Sequence, residues 1–238
     1  MKRFISILLA LVICVSLVAC GNSSNSNNNS SGEKNSNNNS SGEKTESAFD
    51  VSKEAYDKID VAYEIIEKYG SDIYEAWRLG IYDDDELTSN GVSHLASELS
   101  LSEEEIITAI AYIVAGDDEE ADVSAMREDT ANLFFRYYED ELFTFCVMVV
   151  CKAYEVNGKV EEAQDALDSA KELMKKMSEK YSDYEHYPNL KGYYTTTKSF
   201  LEFCENPRGS FEQVKDTIND YRNEARDYVS DLDYIFEE

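Results

Sequence analysis

An all-α fold, an antiparallel bundle of about five to seven helices behind a disordered linker, is what this 238-residue sequence predicts. Three observations predict it. Apolar residues recur at alternating spacings of three and four through most of 48–238, the period of a helix with one buried stripe. Only two prolines, Pro188 and Pro207, stand anywhere in the chain, so long helices are permitted almost throughout. No run alternates with the period of two that a half-buried strand requires.

The elements follow in order. Ala55, Ile59, Ala62, Ile66, Tyr69, Ile73, Ala76 and Gly80 give a first helix its seam, with Tyr56, Tyr63, Gly70 and Trp77 recurring every seven residues beside it. Gly70 is expected at a kink or a close helix contact. Leu87 to Leu99 reads as a second helix. Ser102 with Glu105 forms a capping box before a short amphipathic helix over 103–115. Leu142 to Cys151 is apolar at every position except Thr144, which predicts a central helix covered on all sides; about ten residues cannot cross a bilayer. Val160, Ala163, Leu167, Ala170, Met174, Met177 and Tyr181 define the next seam, and Leu190, Tyr193, Thr197, Phe200 and Cys204 the one after. The last helix is the most sharply marked. Ser210 with Gln213 caps it, and Phe211, Val214, Ile218, Tyr221, Ala225, Tyr228, Leu232 and Ile235 follow a strict three-four alternation.

Ahead of this domain, Lys2 and Arg3 precede an apolar run, Phe4 to Val18, broken only by Ser6 and Ser16. That is the length of a signal-peptide core and short for a spanning helix. Leu17-Val18-Ala19-Cys20 resembles the lipobox of bacterial lipoprotein precursors. The resemblance implies cleavage after a signal peptide of residues 1–19 and a diacylglyceryl group on the Cys20 thiol, with further acylation of the new N-terminus holding the protein at a membrane. Each buried methylene adds about 0.8 kcal/mol to such an anchor.

From Asn22 to Ser47 no aliphatic or aromatic residue offers surface to bury, so nothing offsets the entropy of ordering the backbone. Residues 20–47 therefore read as a lipidated cysteine and a disordered linker, and 48–238 as the acidic helical domain. Within the linker Asn25 to Lys34 is repeated letter for letter as Asn35 to Lys44, a duplication that alters only reach. Such a chain has a root-mean-square span of about 28 Å and a full extension on the order of 90 Å. Its Asn/Ser-rich composition resembles the stalks of Gram-positive lipoproteins, which implies a lipid-anchored domain on the extracytoplasmic face of the cell membrane.

The chain carries 22 basic and 49 acidic residues, a formal charge of −27, which becomes about −29 without Lys2 and Arg3. Nucleic acid is excluded as a partner, because a polyanion needs a basic footprint. An anionic membrane surface is repelled in the same way. Partners are expected to be basic or apolar, or bound through cations.

Of five cysteines, Cys14 leaves with the signal and Cys20 takes the lipid, leaving Cys146, Cys151 and Cys204. Cys146 and Cys151 lie about 140° apart around one helix and cannot bridge each other. Cys204 could pair with either; buried free thiols at apolar positions are the expected state.

Around Asn157-Gly158, the residues Tyr154, Gly158, Ala163, Leu167 and Ala170 resemble the middle of a tetratricopeptide repeat. The match runs once over about twenty residues, and Lys175 stands where the repeat usually ends in proline. The resemblance implies a tight antiparallel helix hairpin.

No catalytic constellation emerges, and no cofactor is implied. Asp83-Asp84-Asp85-Glu86 and Asp117-Asp118-Glu119-Glu120 lack the alternating ligands and central glycine of a calcium loop. His94 and His186 are the only histidines and belong to no metal-ligand spacing. There is no nucleophile elbow and no phosphate loop. The 17 tyrosines are the remaining signal. Tyr137-Tyr138, Tyr184, Tyr187 and Tyr193-Tyr194 cluster beyond what single seams need, and tyrosine suits interfaces. Tyr184, Tyr187, Tyr193 and Tyr194, around the break at Pro188, are the expected interaction surface. The function expected is a membrane-anchored, non-catalytic binding module for a cell-surface protein or peptide. The alternative is a solute- or cation-binding lipoprotein serving a membrane transporter.

Overall fold

The computed structural model describes residues 46–116 and 123–236. Among them the chain is all-α, with eight helices and no strand. They are α1 (Ala48–Tyr82), α2 (Asp84–Glu98), α3 (Glu103–Ala115), α4 (Glu128–Tyr137), α5 (Leu142–Val156), α6 (Lys159–Lys180), α7 (Tyr187–Glu205) and α8 (Phe211–Phe236). The seven seams read from sequence each become a helix. The addition is α4, whose start at Arg127 has no side-chain cap and whose buried residues are only Ala131 and Phe135.

α1 is the axis of the bundle, 35 residues or about 52 Å long. Ser47 begins it with a full capping box to Asp50, so the last residue assigned to the linker is the helix cap. The capping boxes at Ser102 with Glu105 and at Ser210 with Gln213 form as the sequence implies. At the Asn157-Gly158 turn, Gly158 has φ +80°, a left-handed conformation that costs glycine nothing and lets α5 reverse directly into α6.

The N-terminal half of α1 packs with α6, α7 and α8 around Tyr56, Ile59, Met174, Leu190, Tyr193 and Leu232. Its C-terminal half joins α2 to α5 around Ile73, Leu87, Leu95, Ile110, Phe135, Phe145 and Val149. α8 lies antiparallel to both α1 and α7. Arg222 pairs with Glu67 at 2.9 Å and bonds Ser71, whereas Tyr56 bonds Asp233 near the other end of α8. Asn189 bonds Asp231 at 3.0 Å across α7 and α8.

Glycines mark the closest crossings. A Cβ at Gly80 would lie closer than 3 Å to the backbone of Phe143, so α1 and α5 meet main chain against main chain. Gly70 is a contact of this kind with the Phe200 ring and not a kink. Among the described residues the one break inside a helix is at Asn90 in α2 (φ −143°, ψ 46°), where Gly91 admits the Phe135 ring. The Val92 N–H beyond the break donates to Asn132 Oδ1 at 2.9 Å, so α4 satisfies a donor that the break displaces.

α5 corrects one expectation. It is not covered on all sides: Phe143 is 39% and Met148 37% exposed, and Thr144 is also exposed. α1, α3 and α6 supply most of the cover of α5, Phe135 of α4 and the Cys204 carbonyl of α7 also touch it, and a narrow apolar strip stays uncovered.

Candidate functional site

α6 and α7 both lean on α1, and a groove runs between them. Its two ends are hollows of about 340 and 220 Å³ that share Tyr194. Met174, Leu167 and Leu201, each largely buried, supply apolar floor. The walls arise from helical spacing. Gln164, Asp168, Lys171, Lys175 and Ser178 step three or four residues at a time along α6. Tyr187, Lys191, Tyr194, Lys198, Leu201 and Glu205 do the same along α7. Pro188 lies in the first turn of α7, where its missing N–H costs nothing, and so begins the helix that carries these residues.

Three of the four tyrosines expected at the surface reach it. Tyr187 and Tyr194 line the groove. Tyr184 lines a separate hollow of about 270 Å³ with Ala48, Lys180 and Tyr181, and its ring meets His186 edge-on at 5.3 Å. Tyr193 is a correction. It is 0% exposed, its ring packs on Tyr56 and Tyr63, and its hydroxyl donates to Asp60 at 3.0 Å. One residue along a helix turns a side chain by about 100°, so Tyr193 faces α1 while Tyr194 faces the groove. Gly192 faces neither; it makes room for the Tyr228 ring of α8.

The Asp60 carboxyl is held above the usual carboxylate range, mainly by burial, with Glu64, Asp233 and Asp57 adding to the rise and the Tyr193 hydrogen bond opposing it. In the groove, burial raises the Tyr194 phenol, partly offset by Lys198. Burial and Glu202 likewise raise the Glu205 carboxyl, opposed by its hydrogen bond from Gln164 at 2.9 Å.

The other sequence signals have structural roles. Asp83 joins α1 to α2 and holds Arg78 at 3.6 Å and His94 at 3.4 Å, while Asp84, Asp85 and Glu86 fill the first turn of α2, where the helix dipole favours acids. Tyr138 stacks on Phe145 at 4.6 Å, and Tyr137, 79% exposed, meets the edge of Tyr138. Cys146, Cys151 and Cys204 are free thiols, and Cys151 Sγ lies 3.8 Å from the Cys204 carbonyl oxygen. Among the described residues no group of three His, Cys, Asp or Glu side chains could hold a metal ion. None of the described helices is long and apolar enough to cross a membrane. Cys20, the signal segment, residues 22–45 and Asp117 to Glu120 lie outside the described residues.

Sequence reasoning missed the lysines of the groove. Lys171, Lys175, Lys191 and Lys198 look like ordinary solvent positions until α6 and α7 are set side by side. It also missed where the chain enters: Lys176 pairs with Glu46, and the Tyr181 hydroxyl donates to the Glu46 carbonyl oxygen at 2.8 Å. Residue 46 thus lies beside the α6 end of the groove that carries Tyr187.

No protein-family model matches the chain, and no curated protein or solved structure matches it either.

Proposed function

We propose that this protein is a lipid-anchored module on the extracytoplasmic face of the membrane, and that it acts by binding a protein or peptide in the α6–α7 groove rather than by catalysis. The observation that carries the reading is the groove itself. It is an open apolar floor flanked by Tyr187 and Tyr194 on a strongly acidic domain, with the chain entering the fold beside it. The Leu17 to Cys20 lipobox supports the anchor, and the duplicated Asn/Ser-rich segment supports a stalk of adjustable reach.

Two experiments test this. Detergent phase partition of the full chain and of Cys20→Ser tests the anchor: the parent enters the detergent phase and the variant stays in the aqueous phase. A photo-crosslinking residue at Tyr194, compared in intact cells with one at the exposed Tyr112 of α3, tests the face. One recurrent adduct at Tyr194 and none at Tyr112 is the expected result; equal trapping at both positions overturns the assignment.

A further inference from the structure

The charges of the α6–α7 groove are sorted along its length. At the Tyr187 end stand Lys175 and Lys191 on opposite walls, followed by Lys171 and Lys198, with Glu179 at the rim. At the other end stand Asp168, Glu202 and Glu205. Lys171 and Lys198 lie within reach of acids on their own helices, Asp168 at 4.0 Å and Glu202 at 3.3 Å. Lys175 and Lys191 are different: among the described residues neither has a carboxylate within ion-pair distance. What sets them apart is their place: they line one apolar hollow from opposite walls, in a chain with 49 acids and 22 bases.

The shape of the groove restricts what it can hold. From Gln164 to Ser178 the α6 wall runs about 21 Å, four turns of helix. Both walls are helices whose backbone hydrogen bonds close internally, so an extended peptide would find no main-chain partners. A helix brings its own. It needs only an apolar stripe to meet Leu167, Met174, Tyr194 and Leu201.

The geometry points to an amphipathic helix of a partner protein as the occupant, with carboxylates at the end that meets Lys175 and Lys191 and basic residues at the end that meets Glu202 and Glu205. This rests on the binding reading above and adds the partner's chemistry and orientation. It also resolves how so acidic a domain can receive a carboxylate-bearing partner: locally the groove is balanced, with as many lysines as acids on its walls. The partner's basic end offsets the repulsion from the remainder of the surface.

The test uses the full-length chain in mild detergent and two synthetic helices of about five turns, identical in composition and apolar stripe. One carries glutamates in its N-terminal half and lysines in its C-terminal half; the other carries them reversed. Either helix can also dock turned end for end, so direction is read with a spin label at one peptide terminus and paramagnetic broadening at Tyr187 and Glu205. Tighter binding of each peptide with its acidic end at Tyr187 is expected. Lys175→Glu with Lys191→Glu, both at exposed positions outside the core, weakens binding in that orientation about tenfold, the worth of two or three rim charge pairs. Both peptides docking in either orientation alike, neither binding, or no effect of the double substitution overturns the proposal. Self-association of the chain that the same substitutions abolish would assign the groove to a second copy and also overturn it. If the peptides fail while Tyr194 still traps a partner in cells, the helical inference falls and the binding reading stands.

Discussion

Tyr154 on α5 donates its hydroxyl to Asp72 on α1 at 2.9 Å, in the interior of the bundle. The same carboxylate, 5% exposed, accepts the Ser100 N–H at 3.0 Å and the Ser100 hydroxyl. One acid on the axis thus fixes α5 and the turn between α2 and α3. Asp72→Ala takes the acceptor from the Ser100 N–H and from the Ser100 and Tyr154 hydroxyls, which lie 3.2 Å apart and can still bond each other, and is expected to lower stability by about 3 kcal/mol; Tyr154→Phe leaves the Ser100 bonds to Asp72 in place and costs about 1 kcal/mol. Urea unfolding followed by circular dichroism measures both, and equal effects would show that Asp72 does not organise the junction.

Tyr69, Tyr154 and Tyr193 are held neutral well above the ordinary phenol range. Burial is the main cause for each, followed by Cys151 for Tyr69, Asp72 for Tyr154 and Asp60 for Tyr193. A folded pKa above the unfolded value of about 10 contributes stability that is complete below pH 10 and is lost as pH rises toward the folded value. Melting temperature should therefore fall steeply above about pH 10, with tyrosinate absorbance and helix loss appearing together. Full tyrosine titration with the helices intact would contradict this.

Gly80→Ala places a methyl group against the Phe143 backbone, which can yield only if α1 and α5 separate. A loss of about 3 kcal/mol is expected. Gly192→Ala meets only the Tyr228 ring, a side chain able to move, and should cost about half as much. A thermal scan ranks the two variants, and the reverse order would refute the main-chain contact.

Cys146 and Cys204 should be inert while the domain is folded, whereas Cys151 is partly exposed. Burial pushes Cys146 up to about 12 and Cys204 well above the usual thiol range, and also raises Cys151 against an opposing hydrogen bond from Tyr69. In a chain with Cys14, Cys20 and Cys151 changed to Ser, alkylation at pH 8 is expected to proceed only as fast as unfolding. Rapid labelling in native buffer, read by mass spectrometry, would count against it.

The seams were legible because burial on one side imposes a period, and every three-four repeat from Ala55 to Ile235 became a helix. α4 was not, since a stretch with two buried residues and no cap leaves little imprint. α5 shows the limit of composition. Its apolar run states that partners are wanted, yet how many helices reach it depends on packing, and Phe143 and Met148 stay partly exposed. Tyr193 was assigned to the surface on residue type; an amphipathic side chain is equally at home inside when an acid such as Asp60 receives its hydroxyl. The groove lysines could not be read at all, because their meeting depends on how far two helices splay, which no local pattern encodes.

The attachment of Glu46 to Lys176 and Tyr181 has a mechanical consequence. A pull on the N-terminal segment enters the fold at the first turn of α1, where α6 ends. The ion pair to Lys176 and the hydrogen bond from Tyr181 tie that corner to the end of α6, so they are the first contacts such a pull would load, well before the junction built on Asp72.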